Sequence, residues 1–398
     1  MKTSTSIRQI PIYLIDVGIF KIVPLCYDKK DNKKEVFYMS DKELHTPKEK
    51  TFHEQTYIDN TLRLRDILKT LPPFVKDYFR AIEASTSART RISYAYDIRV
   101  FFHFLMECNP VYKDYKMDDF KVSDLDRLEP VDIEEYKDYL KVYHNPDDKE
   151  ITNTEKGLFR KMSSLRSFYG YFYKHEMIKR NPTLIVDMPK LHEKAIVRLD
   201  TDEVALLLDY VEHGGDTLTG QKKAYYEKTK NRDLAIITLL LGTGIRVSEC
   251  VGLDIKDVDF KNNGIKVTRK GGNEMIIYFG PEVETALKQY LYTTRKEITP
   301  LPGHENALFL STQKRRMGIQ AVENMVKKYA QAVTPNKKIT PHKLRSTYGT
   351  SLYKETGDIY LVADVLGHKD VNTTKKHYAA IDEDRRRKAA SAVKLREV

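Results

Sequence analysis

The chain has 398 residues, which is long for one hydrophobic core and sufficient for two or three domains. Its formal net charge of +11 favours a polyanionic partner such as nucleic acid, although a basic surface can also serve solubility alone. The three cysteines lie far apart without a Cys-x-x-Cys pair, which argues against a disulfide framework and a structural zinc site. No apolar run approaches the roughly 20 residues of a membrane helix, and no signal peptide is recognisable. We therefore expect a soluble cytoplasmic protein with no membrane partner.

Residues 1–65 form an N-terminal extension that differs in pattern from the rest of the chain. Apolar runs at residues 11–16 and 20–25 predict two short strands, followed by a polar stretch. Basic and acidic residues nearly balance in this extension, so it is not an obvious DNA-binding arm. A small β element and a flap that binds a partner both fit the pattern.

The periodicity between residues 62 and 181 is helical, because apolar residues recur at steps of three and four. Hydroxyl side chains at residues 85–87 can cap the first helix, and Pro130 can open the second. We predict a helical domain over residues 66–186 and a linker over residues 187–194. The predicted helices lie at about residues 92–105, 131–140 and 154–175.

The third of these helices carries a basic face opposite its apolar face. Such a density of Lys and Arg suggests contacts with nucleic-acid phosphates, although a solvated surface would show the same pattern. With two arginines from the start of the first helix, the candidate DNA-binding residues are Arg89, Arg91, Lys156, Arg160, Lys161 and Arg166.

A second domain is predicted over residues 195–398, including a C-terminal tail. It is mostly helical, but three alternating β-branched or aromatic runs with polar turns between them predict an antiparallel meander. The expected fold class is therefore mainly α with a small three-stranded antiparallel sheet. The predicted strands lie at residues 258–260, 265–268 and 275–279.

Four scattered segments of this second domain carry the chemistry. Together they supply two guanidiniums, an ammonium, two imidazoles and a phenol. Such a set can clamp one phosphodiester, protonate a leaving oxygen and attack phosphorus without a metal ion. The segments are Thr243–Glu249, Arg269–Glu274, Pro341–Arg345, and Leu366–His368 with Tyr378 ten residues later.

Arg246 follows two helix-breaking glycines and is expected in the first turn of a helix. Glu249 lies three residues on, so it can hold the Arg246 guanidinium by a charge-assisted hydrogen bond. Lys270 stands in a Gly-Gly turn between two predicted strands, where it can donate a proton to an alkoxide. Taken alone, Arg246 and Glu249 are explained as well by an ordinary surface ion pair, and Lys270 by a solvated lysine in a hairpin.

His342 and Arg345 share one face of a helix that starts near Pro341. Arg345 offers a planar fork to two phosphate oxygens, and His342 can bond an oxygen or shuttle a proton. His368 follows a glycine that ends a helix. Tyr378 is one of 26 tyrosines, so composition alone does not distinguish it as a nucleophile. A core residue of an amphipathic helix would fit its position equally.

In order and spacing, these segments resemble the tyrosine recombinases of phage and transposon integrases. The resemblance covers about residues 70–390. The pattern of that family comprises T-G-x-R-x-x-E, a hairpin Lys, H-x-x-R, L-G-H and a following Tyr. Many members place the tyrosine nine residues after the L-G-H histidine, a position that His377 holds here. The family's residues fall on Arg246, Lys270, His342, Arg345, His368 and Tyr378, with Glu249 supporting Arg246.

The resemblance implies a helical core-binding domain and a catalytic domain with the DNA breaking-rejoining fold. It implies a site-specific recombinase that forms a 3′-phosphotyrosine link to DNA, with Tyr378 as nucleophile and no metal or cofactor. It further implies double-stranded DNA and a homotetramer on two DNA sites, with an accessory DNA-bending or directionality protein as a further partner. The long N-terminal region favours a mobile element. A type IB topoisomerase and a catalytically silent DNA-binding regulator are the alternatives.

Overall fold

The computed structural model describes residues 50–145, 148–192, 197–269, 272–368 and 371. The strands predicted for residues 1–49, the end of the linker, Lys270, Tyr378 and the C-terminal tail lie outside these residues. Among the described residues, none of the helices combines the length and apolar character needed to cross a membrane.

The first part of the described chain is helical and contains one short hairpin. The hairpin strands β1 (Val142–His144) and β2 (Glu150–Thr152) pair antiparallel, with Tyr143 opposite Ile151. The helices are α1 (Phe52–Leu68), α2 (Val75–Ala81), α3 (Ala88–Cys108), α4 (Val122–Leu125), α5 (Pro130–Tyr139) and α6 (Glu155–Lys174).

The starts of these helices follow from local sequence. The Ser87 hydroxyl accepts a hydrogen bond from the Thr90 backbone N–H at 3.2 Å, which caps α3. The Thr154 hydroxyl caps α6 in the same way, and Pro130 opens α5. The three helices predicted in this region are therefore present with nearly the predicted bounds.

The core of this helical part is rich in aromatic side chains that meet edge to face. The rings of Tyr78 and Phe168 lie 5.4 Å apart at 90°, and those of Phe101 and Tyr136 lie 5.0 Å apart at 76°. Such aromatic pairs add roughly 0.5–1.5 kcal/mol each beyond the burial of their area. The packing fixes α2, α3, α5 and α6 against one another.

Helix α1 crosses the boundary predicted at residue 65. Leu64 and Ile67 are buried in the aromatic core, so the helical part begins before that boundary. At the other end of α1, the Phe52 ring lies 5.0 Å from the Arg316 guanidinium and packs against the second core. The helix thus contacts both of the large cores of the described chain.

The second part of the described chain contains seven helices and the predicted meander. Strand β3 (Val258–Asp259) pairs antiparallel with β4 (Gly264–Thr268), which pairs antiparallel with β5 (Glu274–Tyr278). The predicted small antiparallel sheet is therefore confirmed. The helices are α7 (Thr201–His213), α8 (Gly220–Thr243), α9 (Val247–Gly252), α10 (Pro281–Gln289), α11 (Ile319–Val333), α12 (Pro341–Thr356) and α13 (Ile359–Leu366).

Helix α8 lies in the middle of the second core. Its residues 234–240 are buried, and α7, α10 and α12 pack around it. Gly244 ends the helix in the left-handed conformation, with φ of 63°. The chain then turns directly into α9, which brings Arg246 to the start of that helix.

Candidate functional site

The site is built around the C-terminal end of α13. Gly367 ends this helix with φ of 61°, and the His368 N–H donates to the Ala363 carbonyl at 2.9 Å. The last carbonyls of a helix have no partners within the helix and carry a partial negative charge. We call the carbonyls of residues 364–367 the α13 carbonyl cluster.

Arg246 contacts this cluster from the start of α9. Its Nη2 donates to the Gly367 carbonyl at 3.3 Å, and its Nη1 donates to Glu249 at 2.8 Å. The Glu249 carboxylate also accepts from the Arg246 backbone N–H at 2.8 Å. The Glu249 side chain is only 4% exposed whereas that of Arg246 is 36% exposed. The carboxylate is thus fixed, and it aims a partly accessible guanidinium at the end of α13.

Arg345 contacts the same cluster from α12. Its Nη1 donates to the Gly244 carbonyl at 2.5 Å, and its Nη2 donates to the Leu366 carbonyl. The residue is buried, at 4% exposure. Since Arg246 and Arg345 bond the carbonyls of consecutive residues, the structure brings the two predicted guanidiniums together.

Arg269 is a third guanidinium at this cluster, and the sequence analysis did not single it out. It donates to the Asp364 carbonyl at 3.3 Å and to the Val365 carbonyl at 2.6 Å. Burial lowers the pKa of Arg269; Glu249 opposes this, and the Arg246 charge adds to it. The one feature of the sequence that could have indicated Arg269 was its position beside Lys270 in the predicted turn.

Two glycines allow these contacts because a side chain would not fit. A Cβ on Gly367 would lie 1.4 Å from Nη1 of Arg269. A Cβ on Gly244 would lie 2.3 Å from the Tyr348 ring and 2.9 Å from the Leu366 side chain. Both glycines also have positive φ, which disfavours any residue with a side chain. Close packing between α8, α12 and α13 therefore depends on them.

The two predicted histidines lie near the arginines in the chain. His342 is exposed in the first turn of α12, one turn before Arg345. His368 is half-buried and directly follows the α13 carbonyl cluster. Lys270 and Tyr378 lie outside the described residues, so their roles remain predictions.

Three other tyrosines near this site have environments that do not favour a nucleophile. Burial raises the pKa of the half-buried Tyr348, which disfavours its phenolate. Tyr353 is buried at 7% exposure, and Tyr360 is exposed on α13 at 71%.

The candidate DNA-binding residues of the helical part divide into two groups. The Arg91 side chain is 7% exposed and pairs with Glu83, while Lys161 is 9% exposed and pairs with buried Asp97. Arg166 donates to backbone carbonyls at 3.0 and 2.5 Å in the segment after α6. These three side chains therefore have partners within the fold, and their assignment to DNA stays a prediction. Exposed residues at the helix surface are Arg89, Lys156 and Arg160, of which Arg160 also pairs with Asp97.

Comparison with known proteins identifies the family. The profile of the phage integrase family matches residues 197–385. The tyrosine recombinase XerC of Caldanaerobacter subterraneus subsp. tengcongensis is 34% identical over 329 residues, which is 80% of this chain and 86% of that protein. The chain belongs to the tyrosine recombinase family. This tyrosine recombinase also resembles XerS of Lactococcus lactis subsp. cremoris, at 29% identity over 354 residues, covering 83% of this chain and 97% of that protein.

Solved structures agree on the fold of this tyrosine recombinase. The Tn1549 transposon integrase, in complex with transposon right-end DNA, superposes with a TM-score of 0.55 at 22% identity. The match covers 80% of this chain and 99% of that one. The predicted fold class is thereby confirmed. The protein is a site-specific recombinase, and these relatives do not favour the topoisomerase or the silent regulator.

Proposed function

We propose that this recombinase cleaves and rejoins DNA through Tyr378, with one DNA phosphate held by Arg246, Arg345, His342 and His368. The observation that carries the proposal is the meeting of Arg246 and Arg345 at consecutive carbonyls beside His368. Two guanidiniums in one partly buried place attract a phosphate strongly, because the local dielectric is lower than that of water. The exposed part of Arg246 is the side from which DNA reaches them.

The chemical step is phosphoryl transfer in line at phosphorus. The Tyr378 phenol loses its proton to water, and its oxygen attacks the phosphorus. The bond from phosphorus to the 5′-oxygen breaks, and the Lys270 ammonium gives its proton to that oxygen. The products are a 3′-phosphotyrosine and a free 5′-hydroxyl.

Rejoining reverses this step. The 5′-hydroxyl of a second strand attacks the phosphotyrosine and releases the tyrosine. The energy of the phosphodiester stays in the protein–DNA bond, so the exchange needs neither ATP nor a metal ion. Glu249 supports both directions because it fixes the Arg246 guanidinium.

DNA binding by the helical part is assigned to its exposed cations. Arg89 at the start of α3 and Lys156 at the start of α6 are exposed and available for phosphates. Arg160 is 46% exposed although it pairs with Asp97, so it can reach a phosphate from the same helix. The net charge of +11 supports a polyanionic partner of this kind.

We propose the assembly from the requirements of strand exchange, and the biological role from a structural relative. We assign four protomers to two DNA sites, because strand exchange needs two cleaved duplexes held together. The match to the Tn1549 transposon integrase supports a mobile element as the substrate. We further propose an accessory DNA-bending or directionality protein as a partner.

A suicide-substrate assay tests this function. The full-length protein is incubated with nicked duplexes made from DNA that flanks its own gene. We expect a covalent protein–DNA adduct with the natural chain and none with Tyr378→Phe. The matched control is Tyr360→Phe, because Tyr360 is exposed on α13 and is given no role. Joined products from two duplexes support a recombinase. Relaxation of a supercoiled plasmid that carries the same DNA, without joined products, would contradict it.

A further inference from the structure

The turn between β4 and β5 is closed by the backbone of Arg269. The Arg269 N–H donates to the Asn273 carbonyl at 2.8 Å, and the Gly272 N–H donates to the Arg269 carbonyl at 3.0 Å. Lys270 is the next residue in the chain. The position of the Arg269 backbone therefore determines where the turn that contains Lys270 begins.

The side chain of Arg269 ties this turn to the end of α13. Its two terminal nitrogens donate to the carbonyls of Asp364 and Val365, at 3.3 and 2.6 Å. Its guanidinium also lies against Gly367, where a Cβ would come within 2.4 Å of Cζ. Gly367 directly precedes His368. One side chain thus connects the turn of the hairpin with the segment that presents His368.

The arrangement is costly for an arginine, which argues for a specific role. The Nε of Arg269 is buried without a hydrogen-bond partner among the described residues. The neighbouring Arg246 is also a cation, and like charges repel. A buried donor without an acceptor is uncommon and calls for an explanation. The planar fork bonds two successive carbonyls at once, which the single ammonium of a lysine reproduces poorly.

We propose that Arg269 is a positioning residue that sets the turn containing Lys270 against the α13 carbonyl cluster. The proposal deepens the proposed function and rests on it, because it takes Lys270 as the proton donor. Lys270 follows Arg269 directly in the chain, and His368 follows Gly367, against which the Arg269 guanidinium lies. Loss of the fork then impairs protonation of the leaving oxygen more than it impairs DNA binding.

A sulfur substitution at the leaving atom isolates that step. In a nicked duplex with a 5′-bridging sulfur at the cleaved bond, the leaving thiolate needs no proton, since thiols have a pKa of about 8.5. The ratio of the cleavage rate of the sulfur substrate to that of the oxygen substrate therefore measures how much proton donation to the leaving oxygen has been lost. Because general acids contribute about 10²–10⁴-fold, we expect Lys270→Ala to raise this ratio about 100-fold or more.

Arg269→Lys and Arg269→Ala are then compared with the natural full-length protein. We expect both to cleave the oxygen substrate about tenfold more slowly or worse, a fraction of the effect of a general acid. We expect the sulfur substrate to restore most of the rate, with DNA affinity changed less than threefold. Arg269→Lys keeps the charge, so restoration of the oxygen rate by lysine would overturn the role of the fork.

The matched control is Arg295→Lys. Arg295 also donates to two carbonyls, those of Ala307 and Glu305 at 3.1 and 2.7 Å, and burial lowers its pKa. We expect its ratio of sulfur to oxygen rates to equal that of the natural protein. If the sulfur substrate restores cleavage by Lys270→Ala but not by the Arg269 variants, the positioning role of Arg269 is overturned while the proposed function stands. If sulfur fails to rescue Lys270→Ala, the assigned acid of the proposed function fails as well.

Discussion

At the scale of single residues, the site depends on side chains that hold other side chains. Glu249 is nearly inaccessible, yet it accepts two hydrogen bonds from Arg246, one from the backbone and one from the guanidinium. A carboxylate so placed restricts the arginine to one orientation. In the proposed mechanism, this preorganised cation is available where negative charge develops during phosphoryl transfer.

Replacement of Glu249 by glutamine tests this role. Glu249→Gln keeps the shape but loses the charge, and a hydrogen bond to a charged group contributes about 1.5–3 kcal/mol. We therefore expect formation of the covalent adduct to slow by roughly 10–100-fold, since 1.4 kcal/mol corresponds to tenfold. Single-turnover cleavage of the suicide substrate measures the rate.

The control for this substitution is Glu203→Gln. Glu203 also pairs with a cation, since its carboxylate lies 2.7 Å from the Lys337 ammonium, but it belongs to α7 and not to the site. We expect its cleavage rate to match that of the natural protein. Equal rates for both glutamine variants would refute the orienting role of Glu249.

The sequence predicted one residue contact of the site well and missed another. Arg246 and Glu249 are three positions apart, so helical geometry alone places them side by side. Arg269 reaches carbonyls about 95 residues further along the chain, and no local rule connects such positions. Its role required the packing of the hairpin against α13.

At the scale of elements, the ends of two helices provide the carbonyls around which the site is built. Gly244 ends α8 and Gly367 ends α13, and the arginines bond the carbonyls that these ends expose. Helices that end so close together leave no room for side chains at the two glycines. The expected result is a rigid junction between α8, α12 and α13.

A substitution at Gly244 tests the junction. Gly244→Ala introduces a left-handed alanine, which costs about 1–2 kcal/mol, and a clash with Tyr348 that costs about 1–3 kcal/mol more. Gly303→Ala is the matched control, because Gly303 has φ of 82° but nothing within 4 Å of the added Cβ. Urea unfolding should show a clearly larger loss of stability for Gly244→Ala. Equal losses would contradict the close packing.

The exposed cations of the helical part lead to a separate prediction about the salt dependence of DNA affinity. Arg89→Ala and Lys156→Ala each remove an exposed cation, so each should lower the slope of log affinity against log salt by about one. Arg166→Ala removes contacts with backbone carbonyls instead and should lower stability with an unchanged slope. Fluorescence anisotropy with any duplex, at several salt concentrations, measures these slopes. A reduced slope for Arg166→Ala alone would reverse the assignment.

The elements that the sequence predicted are those with strong local signals. Periodic apolar residues, capping hydroxyls and Pro130 marked the helices, and alternating β-branched residues marked the meander. The hairpin of β1 and β2 was missed, because its strands are three residues long and largely exposed. Helix α1 continues across the boundary predicted at residue 65, since Leu64 and Ile67 are buried against partners distant in sequence.

At the scale of the whole molecule, the described chain has two large hydrophobic cores, both contacted by α1, and a small cluster of Tyr353, Val362 and Leu366. The helical part carries the exposed cations Arg89 and Lys156, whereas the second part carries the three arginines at the α13 carbonyl cluster. Family membership was predictable because four short segments keep their order and spacing. The direction of recombination and the DNA sequence have no such signature, since they depend on contacts with bases and on assembly.

The central claim is that one phenol, that of Tyr378, becomes bonded to DNA. Mass spectrometry of the trypsin-digested covalent adduct tests this claim most directly, because trypsin releases Tyr378 in the peptide of residues 377–385. We predict that this peptide carries the nucleotide on its tyrosine. A nucleotide on Tyr348 or Tyr360 instead, or a natural protein that forms no adduct with its flanking DNA, would contradict the account.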